Sequence, residues 1–65
     1  MADTLRVRWY AHENDLIGGW AVMNVDKPPS ECDYRQGEGD VADFTNERTA
    51  RHIADLHNAW LAQQE

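Results

Sequence analysis

Apolar and polar residues alternate along residues 5–12. Leu5, Val7, Trp9 and Ala11 fall on one side, and Arg6, Arg8, Tyr10 and His12 on the other. That period of two predicts a half-buried strand. Asn14-Asp15 and Gly18-Gly19 then punctuate a turn. Leu16 and Ile17 are unusual inside it; they either cap the edge of the core or stand exposed as a contact. Residues 20–26 predict a second strand, antiparallel to the first. Trp20 and Val22 share one of its faces, Ala21, Met23 and Val25 the other. Which set faces the core stays open, because a one-residue slip exchanges them. Lys27-Pro28-Pro29-Ser30 ends the strand, since proline cannot donate to a ladder. A short third strand is expected over residues 40–44.

At Phe44-Thr45 the period changes from two to that of a helix. Thr45 is the expected N-cap, with Glu47 favourable to the helix dipole. At roughly 100° per residue, Thr49, Ala50, Ile53, Ala54, Leu56, His57, Trp60 and Leu61 share a sector. The helix is therefore expected to bury Ile53, Leu56, Trp60 and Leu61. Arg51 and Asp55 stand four apart, the spacing of a weak ion pair. These elements predict one α+β domain over residues 1–65. A three-stranded antiparallel meander carries a single C-terminal helix on one face. The opposite face, with Tyr10 and Trp20 as its best anchors, is expected to stay open and apolar, which marks a homodimer or partner contact.

Composition sharpens this picture in three places. The chain has 65 residues and one cysteine, Cys32, so it has no internal disulfide. Lone-cysteine usage suits a reducing compartment, and the expectation is a cytoplasmic protein with no membrane partner. The formal net charge is −6, and between residues 31 and 43 five carboxylates face Arg35 alone, a local balance of −4. Glu31, Asp33 and Glu38 lie in a long acidic connection, residues 27–39. Such a connection in a small domain is functional or mobile, and its charge suits a basic protein partner and repels nucleic acid.

Candidate chemistry is thin. His57 sits in the apolar sector and reads as a core-edge histidine bonded to backbone or water. His52 is five residues away, and the pair lacks the i, i+4 spacing of a helical zinc site. Glu31, Asp33, Asp40 and Asp43 are oxygen donors without the arrangement of a calcium loop. Cys32 has no evident base, and no pocket pairs the carboxylates of Asp15, Asp26, Asp40 and Asp43 as acid and base. Arg6 and Arg8 beside Tyr10 make a miniature stacking platform, outweighed by the net charge. The expectation is a non-enzymatic interaction module without cofactor or metal. Tyr10, Trp20, Glu31, Asp33 and Glu38 would meet its partner. A self-assembling structural subunit is the alternative.

The run Gly18-Gly19-Trp20-Ala21-Val22, then Val41-Ala42-Asp43-Phe44, then Ala50-Arg51-His52-Ile53-Ala54-Asp55-Leu56-His57-Asn58 resembles small proteins that recur in actinobacteriophage genomes. The similarity covers the C-terminal three quarters of the chain and rests on hydrophobic patterning. It implies a small phage accessory product of unassigned function and brings no active-site residues; the interaction module expected above would then be one that binds or inhibits a host or phage protein.

Overall fold

The third strand ends and the helix begins where the period changes. In the structure, a computed structural model describing residues 3–44 and 46–64, β3 spans Asp40–Phe44 and α1 spans Glu47–Ala62. Thr45 lies outside the described residues. The N-cap is Asn46, whose side-chain oxygen accepts the Thr49 N–H at 2.8 Å. It satisfies one of the free amides of the first turn. Arg51 pairs backwards with Glu47 at 2.6 Å, not forwards with Asp55 as expected, placing the carboxylate in the first turn, where the helix dipole favours it.

The first two strands are shorter than expected. β1 is Tyr10–Glu13 and β2 is Trp20–Met23. Residues Thr4–Arg6 form a single 3-10 turn instead of the start of β1, because Asp3 accepts the Leu5 N–H and draws the backbone away from extension. β1 also runs out of partner there: beyond Met23 the Asn24 side chain bonds Gly37 and Gly39 and ends the ladder. The sheet order is β1-β2-β3, antiparallel throughout, as the meander predicts.

Register settles the faces. Ala11, Val22 and Ala42 stand in one row, and with Trp9, Trp20, Val41 and Ile53 they enclose Ala50 and Ala54 of the helix. His12, Ala21 and Asp43 form the next row and point the other way, as do Tyr10, Met23 and Asp40. A β-bulge between Val22 and Met23 adds one residue to β3. It turns Val41 towards the helix and leaves Asp40 on the same face as Asp43.

The helix meets the sheet through small residues. Ala50, Ala54 and His57 are buried, whereas Leu56 is 58% and Trp60 46% exposed, against the expectation that both would be core. Ile53 and Leu61 are half-buried. Trp9 and Trp20 pack against Ala50 and Ala54 and fill much of the space between helix and sheet. His57 lies against Trp9, ring on ring at 3.6 Å, and its Nε2 bonds the Val7 carbonyl at 2.8 Å. A carbonyl only accepts, so the proton sits on Nε2. Asn58 brackets Trp9, accepting from its N–H and donating to its carbonyl.

The sheet face away from the helix is closed, not open. Ala21 and Met23, the two apolar side chains on that side of β2, have no exposed surface. Residues 27–39, with buried Pro29 and 3-10 turns at Pro29–Glu31 and Tyr34–Gln36, are tied to the β1–β2 turn at one end of β2 and to Asn24 beyond the other. Ser30 bonds the Asp15 carboxylate through both its N–H and its hydroxyl. Lys27 bridges Glu38 at 3.0 Å, and Asn24 holds Gly37 and Gly39. The Tyr34 ring packs so close to Gly39 that a Cβ there would sit 2.8 Å from it. The molecule is a slab of helix, sheet and irregular cover, 34 × 28 × 13 Å.

Candidate functional site

Tyr10 and Trp20 cannot make one patch. Tyr10 pairs with Met23 on the covered face, while Trp20 faces the helix with the Arg51 guanidinium 5.5 Å above its ring. Both are half-buried. The acidic residues divide as well. Glu31 and Asp33 are exposed. Asp33 caps the turn Tyr34–Gln36 with its carboxylate while its own N–H donates to Glu38. Glu38 is tied inside the cover: the Asp33 N–H and the Lys27 ammonium hold its carboxyl below the usual carboxylate range. The same ion pair raises Lys27. Glu38 therefore works as an internal latch, a role that its place in an acidic run did not reveal.

Two exposed apolar features take the place of the expected sheet face. One is the flank of α1 formed by Leu56 and Trp60, four residues apart on one side of the helix. Towards its C-terminal end, Trp60 and Leu61 join Arg6 and Gln64 around a groove of about 390 Å³. Trp60 leans on His57 at 5.7 Å, so it projects from a rigid base. The other feature is the β1–β2 turn, where Leu16 is 60% and Ile17 78% exposed.

That turn is fixed by Asn14, only 5% exposed. Its N–H donates to Gly19 and its carbonyl accepts from Gly18, at 2.8 and 2.9 Å. Its side-chain oxygen accepts the N–H groups of Leu16 and Ile17 at 3.1 and 3.2 Å, and its amide donates to Asp43 at 3.3 Å. Gly18 and Gly19 take positive φ values of 85° and 74°, which let the chain re-enter β2. An Asx-type clamp thus holds two aliphatic side chains out in water. The asparagine before the turn was the signal for it.

Reactive groups are subdued. Desolvation and the nearby Glu38 carboxylate push the Cys32 thiol up, away from the thiolate form a nucleophile needs. Its Sγ points at the Pro28 carbonyl, 3.5 Å away. Desolvation, then the Asp40 carboxyl beside it, raises Asp43. Among the described residues no three His, Cys, Asp or Glu side chains gather as a metal site, and no helix is long and apolar enough to cross a membrane. Comparison with protein-family models, with curated proteins and with solved structures finds no match.

Proposed function

We propose that the chain is a non-enzymatic protein-interaction module whose anchor is the outward flank of α1. The observation that carries this reading is the rotation of the helix: Ala50, Ala54 and His57 meet the sheet, and Leu56 and Trp60 are left in water. Leaving a leucine and a tryptophan largely outside forgoes the burial energy that either would contribute in a core. Apolar side chains held outward on a rigid element are the usual anchors of a protein contact, tryptophan above all.

Glu31 and Asp33, both exposed, add long-range attraction to a basic partner and raise the rate of encounter. A cytosolic setting is supported by the lone cysteine. Assignment to phage accessory products rests on the sequence resemblance; binding or inhibition of a host or phage protein rests on the exposed flank of α1. The test is affinity capture with three baits: wild type, Leu56→Glu, and the double variant Glu31→Gln/Asp33→Asn. The anchor reading expects a protein held by wild type and lost with Leu56→Glu, and slower binding but similar release for the charge variant. The same proteins on wild type and Leu56→Glu would overturn it.

A further inference from the structure

We propose that the chain associates with itself head to tail: the β1–β2 turn of one copy places Leu16 and Ile17 in the groove of Arg6, Trp60, Leu61 and Gln64 on the next. The two features lie at opposite ends of the slab. The turn follows the row of Glu13, Trp20 and Phe44. The groove lies beyond the other end of the sheet, where His57 bonds Val7 and Trp60 faces Arg6. No copy can fill its own groove, so the contact is heterologous and each bound copy presents a fresh turn.

Shape and charge both match. The turn is a preformed finger, since the Asn14 clamp already fixes its backbone, and little ordering is left to oppose insertion. Glu13 is exposed beside it, and Asp15 stays ionised because Ser30 holds its carboxyl below the ordinary value. The groove offers the Arg6 guanidinium, 85% exposed and only loosely paired with Asp3 at 3.7 Å. The net charge of −6 opposes association in dilute buffer. At physiological ionic strength the screening length is about 8 Å, much shorter than the slab, so charges local to the contact dominate. The interface is small, and the association is correspondingly weak and concentration-dependent.

This proposal rests on the interaction reading in its use of Trp60, but its test is separate. Sedimentation of the wild type at rising concentration and physiological salt should show a mass that climbs past dimer without a plateau. Ile17→Asp and Arg6→Glu should each remain monomeric, as both residues are exposed and neither supports the core. An equimolar mixture of the two variants keeps one intact contact, the finger of the Arg6→Glu copy in the groove of the Ile17→Asp copy, and should stop at a heterodimer. Leu56→Glu, outside the groove, should associate like wild type even if it abolishes partner capture. A wild type that stays monomeric throughout, or a dimer plateau indifferent to Ile17→Asp, would overturn the proposal.

Discussion

Replacing His57 tests how the helix is seated. The ring is 8% exposed, lies flat on Trp9 at 3.6 Å and donates to Val7 at 2.8 Å. His57→Phe keeps the stacked ring and removes the hydrogen bond, a loss of about 1 kcal/mol. His57→Ala also removes the aromatic contact and opens a cavity between α1 and the N-terminal segment, for a total of about 2–4 kcal/mol. A domain of this size has on the order of 3–10 kcal/mol in all, at ~0.05–0.15 kcal/mol per residue. Urea unfolding followed by tryptophan fluorescence reads both changes. With a slope of about 1 kcal/mol per molar, the phenylalanine variant should lose roughly 1 M of midpoint. The alanine variant should lose most of its folded baseline. Two results refute the reasoning: an alanine variant within about 0.5 kcal/mol of wild type, or phenylalanine as damaging as alanine, which would assign the whole effect to the bond and none to the stack.

Three further outcomes follow from the same geometry. Ala54→Leu should cost about 1–3 kcal/mol by overpacking, while Leu56→Glu should stay within about 0.5 kcal/mol; thermal melts that reverse this order would mean the helix is rotated. Asn14→Ala leaves the Leu16 and Ile17 amides without their acceptor and should cost about 1–3 kcal/mol, read as faster hydrogen exchange at those two amides with α1 unaffected. Because the folded-state pKa of Asp43 is raised, its contribution favours folding fully below the ordinary carboxylate value and is lost as pH rises through the raised one; Asp15 and Glu38 are lowered, and their contributions are present above the ordinary value and lost as pH falls through the folded one. Asp43→Asn should therefore remove the first effect, leaving a melt profile that only weakens on acidification.

The order of elements was legible because hydrophobic period reports it directly. The change after Phe44 marks the end of β3, and the alternation through Trp9 and Ala11 marks which side of β1 faces the helix. Three things escaped for physical reasons. The first half of the expected strand is a turn because the side chain of Asp3 competes for a backbone amide, and a period of two carries no trace of that competition. The helix wheel put Ala50 and Leu56 in one sector, but which of them touches the sheet depends on packing against Trp9 and Trp20, distant in sequence. The cover over Ala21 and Met23 has no period, being held by the pairs Ser30–Asp15, Lys27–Glu38 and Asn24–Gly37, whose members lie 11 to 15 residues apart. On the candidate site, Leu16 and Ile17 were visible as anomalies inside a turn. The outward set of α1 was invisible, because only packing separates an anchor from a core residue.

The irregular cover has a chemical consequence of its own. It shields Met23 without any ladder of backbone bonds, so it is the layer most easily shed in partial opening. Once it lifts, the thioether meets solvent and peroxide converts it to a sulfoxide. The tryptophans beneath α1, on the far side of the sheet, would still be packed at that moment. Sulfoxide formation at a single methionine thus times the shedding of one layer while the fluorescence of Trp9 and Trp20 reports an undisturbed helix.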